Sequence, residues 1–342
     1  MNGTVVSLGQ PDLAQSLGSY LAERGFRDPK ILDLRRLTGG STHDTWAFDL
    51  AYGTSIVPQK KPLILRRNLS LNSLDMPPQA EFALLRWLHD KGLPVAKPLL
   101  CELDSTPLAM PFVISERIIG TDLRKALARG IEERNRQSIG QDLVALQVRI
   151  HKLDVANCPL HIFEQADVAR EVERWSKPLL NMRGGLHPLM RSAIHWLQSN
   201  LPTPCAPCLI HGDFKANNIL WSQEETAVVL DWELAHLGDP LEDLAWTMLW
   251  TTKDDLVCGL LDVEDYLRSY ERASGARIDR DRLFFWQIFV LVKLLVILRS
   301  GSGTTTDSNK LGPSHALLSR GAICLEAAMA DYLLATVGVR TA

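Results

Sequence analysis

"LIHGDFKANNIL", Leu209 to Leu220, crowds His211, Asp213, Lys215, Asn217 and Asn218 between two apolar ends. Each of these side chains is costly to bury without a partner. The stretch is therefore either an Asx-rich hairpin with solvated side chains or the floor of a chemical site. A second stretch weighs on the choice. "VVLDWELAHLGDPLEDLAW", Val228 to Trp246, places Asp231 at the end of an apolar run, much as Asp213 follows "CLI". "CLIHG" and "AVVLDWE" read as short strands. One loop and the next strand end then deliver Asp213, Asn218 and Asp231 to one place.

That trio suits a definite chemistry. Phosphoryl transfer needs a carboxylate near the attacking hydroxyl and hard oxygen ligands for magnesium, best supplied from a polar loop backed by rigid strands. Composition agrees with a globular protein acting on a small molecule. At 342 residues, with 46% apolar and 23% charged residues, the chain is long enough for two domains or lobes. A formal charge of -3 and a pI near 6.3 lack the basic signature of nucleic-acid binders, so no nucleic-acid partner is expected. The opening "MNGTVVSLGQPDLAQ" has no basic region and no long apolar segment, and a reducing, cytoplasmic setting is expected. Six cysteines include the pair Cys205 and Cys208 in "CAPC", which precedes a strand rather than opening a redox helix and has no second CxxC for zinc. "LFFWQIFVLVKLLVIL", Leu283 to Leu298, is interrupted by Lys293 and is shorter than the roughly 20 residues of a membrane span. It reads as a buried helix, with no membrane partner, and its apolar surface serves either the core or a homodimer face.

Periodicity divides the chain near Gly120. Before it come a helix near Asp12 to Arg24, strands "ILDLRRL", "TWAFDLAY" and "PLILRRN", a turn at "VPQKK", the helix "PPQAEFALLRWLHDKG" and the strand "PFVISERIIG". "TDLRKALARG" is helix-like. After it helical patterns dominate, among them "EERNRQSIGQDLVALQVRIHKLD" with Ile139, Leu143, Leu146 and Ile150 on one face. "GSGTTTDSNKLGPS" connects the last two helices, the final one being "SHALLSRGAICLEAAMADYLLATV". The expected domains are residues 1–120, sheet-rich and nucleotide-binding, and 121–342, helical, catalytic and acceptor-binding. A crevice between domains is a favoured place for a ligand.

The joint pattern HGDxxxxN and DWExxxxGDPxxDLA resembles the aminoglycoside phosphotransferase and choline kinase-like superfamily. With "LRR" in "PLILRRN", the chain is most similar to the acyl-CoA dehydrogenase-associated phosphotransferase-like branch. The resemblance is strong over the motif region and weaker over much of Leu37 to Trp246. It implies an α+β, bilobal, protein-kinase-like fold, ATP and Mg2+ as cofactors, and a hydroxyl-bearing small molecule as substrate. It also implies roles, residue by residue. Asp213 matches the catalytic-loop aspartate that orients the acceptor hydroxyl or takes its proton; Lys215, two residues on and read from its own chemistry, either neutralises the transferred phosphate as a catalytic residue or extends into solvent. Asn218 and Asp231 match the metal-binding pair. Trp232 and Glu233 replace the Phe-Gly that follows this aspartate in protein kinases, a departure typical of the small-molecule branch. His211 matches a position that supports the loop, and Asp239 and Asp243 match loop-organising and capping positions.

The nucleotide half is implied by earlier segments. "LTGGSTHDTWAFDL" resembles the glycine-containing loop over the phosphates, with Gly39, Gly40, Ser41 and Thr45 at its recognisable positions; it carries neither GxGxxG nor GxxxxGK[ST]. Arg66 matches the cation presented to the phosphates, or Arg67 if the register slips by one. Glu81 matches its helix partner. Ser115, Glu116 and Arg117 match the segment beside the adenine. Glu233 and Glu242 either attract a cationic substrate or are solvated. Two other readings remain open: a nucleotide-binding regulatory module without transfer, and a metal-dependent hydrolase using His211, Asp213, Asp231 and His236.

Overall fold

A computed structural model of the chain describes residues 10–37, 43–53, 58–68, 76–130, 133–162, 167–181, 188–222, 227–249 and 259–302. Strands β1 (Lys30–Arg36), β2 (His43–Gly53), β3 (Pro58–Asn68), β4 (Pro98–Glu102) and β5 (Phe112–Glu116) form one antiparallel sheet in the order β1-β2-β3-β5-β4. Alternation gives this sheet its two faces. Trp46, Phe48 and Leu50 of β2 and Leu63 and Leu65 of β3 are buried in one core. Helix α1 (Gln10–Glu23) brings Leu13, Leu17, Tyr20 and Leu21 to that core at helical spacing.

Two local expectations change. Residues Pro58 to Lys61 of the expected "VPQKK" turn are strand, because each pairs with β2 in unbroken register from Gly53↔Pro58 to Leu50↔Lys61. The ladder overrides the local turn signal. Strand β4 was not anticipated, since "PLLCE" carries no clear alternation and is ordered by pairing with β5.

Helix α2 (Pro78–Asp90) opens with proline in its first turn and buries Ala80, Glu81, Leu84 and Leu88. A second sheet joins β6 (Gly120–Asp122), β8 (Ile219–Ser222) and β9 (Ala227–Val229) in the order β6-β8-β9. Helix α3 (Leu123–Ala128) follows β6, capped by the Asp122 side chain on the Lys125 N–H. These elements belong to one compact unit, made of the described parts of Met1–Ile131, Ala156–Phe163 and Ala216–Ala235.

The second unit comprises the described parts of Glu132–Val155, Glu164–Lys215 and His236–Ala342. It is mainly helical, with α4 (Glu133–His151), α5 (Val168–Leu180), α6 (Pro188–Ser199), α7 (Pro240–Met248), α8 (Val263–Ser274) and α9 (Arg280–Ser302), and holds a two-stranded ladder of β7 (Cys208–Ile210) and β10 (His236–Gly238) against which α4 and α7 pack. On α4, Ile139, Leu143, Leu146 and Ile150 are all buried. From Phe285 to Val296, α9 is buried apart from half-buried Gln287, so this stretch builds the unit's core rather than a dimer face. No described helix is long and apolar enough to cross a membrane. The expected final helix and the connection before it lie outside the described residues.

Candidate active site

Register decides between the two arginines of "LRR". Arg66 stands opposite Thr45 and Val113, and Arg67 opposite Asp44 and Phe112. Arg67 therefore points to the α1 face, where it is buried on Asp44 and donates through Nη1 to the Leu108 carbonyl at 3.2 Å. Arg66 points to the other face and forms an ion pair with Glu81 of α2. Burial works against the Arg66 charge, but Glu81, Asp231 and Glu233 outweigh it and raise its pKa above the ordinary arginine value. Asp231 and Glu233 thus lie within electrostatic reach of the Arg66–Glu81 pair.

Backbone bonds hold Asp231 there. The Val229 N–H donates to the Pro94 carbonyl at 2.8 Å, Leu230 N–H to the Asn218 carbonyl at 2.8 Å, and Met76 N–H to the Glu233 carbonyl at 3.0 Å. Asn218, 7% exposed, closes a single 3-10 turn, Ala216–Asn218. Asp231 itself has φ 63°, a left-handed conformation disfavoured for a residue with a Cβ. Strain of this kind gathers at functional positions where the surroundings over-determine it. The backbone link from Leu230 to Asn218 joins the segments that carry Asn218 and Asp231, and a carboxylate and an amide oxygen are hard donors of the kind magnesium takes.

The same unit places the expected adenine segment. Ser115 is half-buried and shares the Arg66 face, being paired with Ile64, while Glu116 is exposed. The Glu116 N–H donates to the Lys97 carbonyl at 2.9 Å and the Arg117 N–H to the Pro62 carbonyl at 3.0 Å. The Arg117 side chain turns back to Asp49, with Nη2 to Oδ1 at 2.6 Å, beside Lys60. Its charge is engaged on the sheet. Thr45 is half-buried opposite Arg66; Gly39, Gly40 and Ser41 lie outside the described residues.

In the helical unit, the loop after β7 is fastened to α7. Asp243 accepts from the His211 N–H through Oδ2 at 2.8 Å and from the Gly212 N–H through Oδ1 at 2.8 Å. Its Oδ2 also meets His151 Nε2 at 3.1 Å. Burial alone would raise the Asp243 pKa, but the His151 hydrogen bond and charge, with His211, hold it at about 2. The Gly212 backbone turns with φ 80°, which glycine permits without strain. His211 is wholly buried, and its Nδ1 accepts the Asp213 N–H at 3.1 Å. It shapes the loop, as its sequence position implied.

Asp213 is 8% exposed and has both carboxylate oxygens addressed: Trp246 Nε1 donates to Oδ1 at 2.9 Å, and Lys215 Nζ lies 2.8 Å from Oδ2. Thr247 donates to the Phe214 carbonyl at 3.3 Å. Asp243, Trp246 and Thr247 are thus one face of α7 gripping the loop. Trp246 was missed by sequence reading; its signal was its i+3 spacing from Asp243. Asp239 caps α7, accepting the Leu241 N–H at 3.0 Å, and also accepts from Arg282 and from Trp286 Nε1 at 2.8 Å.

Glu242 departs from both roles considered for it. It is neither solvated nor a lure for substrate: it is wholly buried between His236, Nε2 to Oε2 at 3.0 Å, and Lys293, Nζ to Oε1 at 2.9 Å. Burial opposes its charge, yet Lys293 and His236 lower its pKa to about 2; His236, also desolvated, is raised to about 9 chiefly by Glu242. Of the histidines the hydrolase reading would use, His236 meets Glu242 through Nε2 and His211 accepts the Asp213 N–H through Nδ1. Cys208, beneath this loop, has its thiol pKa pushed well up by burial, which keeps it protonated and unreactive.

Comparison with solved structures fixes the class of fold. A thermostable mutant of the aminoglycoside phosphotransferase APH(4)-Ia superposes with a TM-score of 0.62 at 18% identity, covering 92% of this chain and 98% of that one. A choline/ethanolamine kinase family protein from Mesorhizobium loti superposes with a TM-score of 0.56 at 17% identity, covering 86% and 87%. The architecture is the bilobal, protein-kinase-like one, with a sheet-rich and a mainly helical lobe. The chain belongs to the phosphotransferase enzyme family, whose profile matches residues 33–284. Among curated relatives, acyl-CoA dehydrogenase family member 10 of Mus musculus is 30% identical over 269 residues, 70% of this chain and 25% of that protein. Acyl-CoA dehydrogenase family member 11 of Homo sapiens is 29% identical over 238 residues, 68% of this chain and 29% of that protein. The chain spans less than a third of the length of these relatives.

Proposed function

We propose that this chain transfers the γ-phosphoryl group of ATP to a hydroxyl of a small molecule. The observation that carries the reading is the Arg66–Glu81 pair lying within electrostatic reach of an Asp231 held in the left-handed region, with Asn218 bonded to the residue before it. Asn218 and Asp231 would hold Mg2+, whose charge neutralises the phosphates when bound. Arg66, kept in place by Glu81, steadies the phosphates, and Gly39, Gly40, Ser41 and Thr45 belong to the segment proposed to bind them. Ser115, Glu116 and Arg117 flank the adenine. Because the N–H groups of Glu116 and Arg117 are already bonded, base reading falls to carbonyls here and to the backbone of Ile118 and Ile119.

Asp213 would meet the acceptor hydroxyl and take its proton as the new P–O bond forms and the bond from the γ-phosphorus to the β,γ-bridging oxygen breaks, ADP carrying away that oxygen and its electron pair. Trp246 fixes one carboxylate oxygen, and Lys215, on the other, is placed to follow the phosphoryl charge. A cytoplasmic setting belongs to the same proposal. The solved relatives include complexes with hygromycin B, spectinomycin and kanamycin, and hydroxylated antibiotics, sugars and metabolites are the acceptor classes to screen. Asp213→Asn should lower phosphoryl transfer by about 10²–10⁴-fold while nucleotide binding stays measurable. The check is ADP release alongside an ATP titration. An Asp213→Asn variant as fast as wild type would sink the assignment, and a uniformly negative screen with intact ATP binding would favour a regulatory module.

A further inference from the structure

We propose that Lys293, 80 residues beyond the loop in sequence, is a positioning residue for phosphoryl transfer that holds the Asp213 loop from below; this rests on the reading of Asp213 given above. Lysine is almost never fully buried unless paired, and Lys293, paired with Glu242, has no exposed surface. Replacing a buried ion pair by apolar residues of similar volume is often neutral or stabilising. Stability alone therefore gives little reason for an ammonium in the middle of an apolar helix.

Its contacts give another. Nζ donates to the Gly212 carbonyl at 3.1 Å, the residue directly before Asp213, and to Glu242 Oε1 at 2.9 Å. It also lies 5.1 Å from the Trp175 ring centroid and 5.2 Å from that of Trp246, within cation–π range. Asp213 is thus reached by two routes. One runs through the Gly212 carbonyl, whose direction sets the peptide leading into Asp213. The other runs through Trp246, whose indole, flanked by the ammonium, donates to Asp213 Oδ1 at 2.9 Å. His236 and Asp243 complete the polar surroundings: His236 holds the second oxygen of Glu242, and Asp243 binds the N–H of Gly212, whose C=O Lys293 binds. Nothing in this set touches substrate, so its effect on chemistry is through geometry.

The test uses the full chain and separates positioning from mere charge compensation. Lys293→Met combined with Glu242→Gln removes both charges, so no uncompensated carboxylate is left buried. Transfer from Mg-ATP to water, measured without acceptor, is expected to fall about a hundredfold with ATP affinity within about threefold of wild type, since a displacement of about 1 Å is enough for such a loss. The 15N–1H indole resonance of Trp246, assigned by its loss in Trp246→Phe, is expected to move upfield as its bond to Asp213 weakens. A double variant with wild-type turnover and an unmoved resonance would make Lys293 only the counter-ion of Glu242 and overturn the proposal. Should the double variant not fold, Lys293→Arg decides: it keeps the charge on Glu242, but its planar fork misplaces the donor to Gly212, and an unchanged rate and resonance would count against positioning. If wild type itself shows no turnover, the phosphotransfer reading fails, while the Trp246 resonance still reports whether Lys293 holds the loop.

Discussion

Asp231, the proposed magnesium ligand, stands out by a single backbone angle. At φ 63° it holds a conformation that glycine adopts freely and other residues resist. Asp231→Gly and Asp231→Ala both remove the carboxylate and should both abolish magnesium-dependent turnover. They should differ in stability: the glycine variant is expected to be more stable than the alanine variant by about 1 kcal/mol, as denaturant midpoints would show. Equal midpoints would mean that the left-handed angle carries no strain. The motif named the candidate residues of this site, but their partners were read unevenly. Arg66 could be distinguished from Arg67 only once the β2–β3 register assigned each to a face. Glu242 could not be read at all, because His236, Glu242 and Lys293 meet only through tertiary packing.

Elements were legible where they advertise their own ends. Helix α7 carries Asp239 as its cap and Pro240 in its first turn, a local signature that needs no knowledge of the fold. The tertiary use of that cap was not legible, since Arg282 and Trp286 come from α9. Asp239→Ala should accordingly cost more than the roughly 1 kcal/mol of a lost cap, about 3 kcal/mol by chemical denaturation. Strands β6 and β10 escaped notice because "GTD" and "HLG" lack the apolar run that marks the equally short β7 and β9. Close approach is likewise silent in sequence. A Cβ on Gly140 of α4 would lie 2.7 Å from Leu261 Cγ. Gly140→Ala, which raises helix propensity, should therefore destabilise by about 1–2 kcal/mol instead of stabilising by up to about 1 kcal/mol. A raised melting midpoint would contradict the packing around that glycine.

For the molecule as a whole, the sheet-then-helix order of the sequence announced the fold class, and the family profile agrees. What composition could not announce is that Ala216–Ala235 returns to the sheet-rich unit, because this depends on which strands β8 pairs with. The buried charges also set a stability profile in pH. Glu242, held at about 2, favours the folded state above its ordinary value of 4.5, and that contribution is lost as pH falls towards 2. His236, raised to about 9, contributes fully below 6.5, and its contribution is lost as pH rises through 9. These two groups together place greatest stability between 4.5 and 6.5. From there to pH 9 the wild type should lose on the order of 2–3 kcal/mol, whereas His236→Asn should lose much less. Calorimetric midpoints across that range are the measurement, and parallel slopes would remove His236 from the account.

Helix α9 has apolar side chains on every side over most of its length, so hydrophobic burial by itself gives it no preferred rotation and no preferred height. Arg282 and Trp286 on Asp239 fix one end of it, and Lys293 on Glu242 fixes its middle. A slip of one turn, or a roll that carried Lys293 away from Glu242, would strand an ammonium among leucines and phenylalanines. The lysine therefore serves as a registration mark: of the many ways an oily rod can seat in an oily socket, only one lets the charge in its midst be answered.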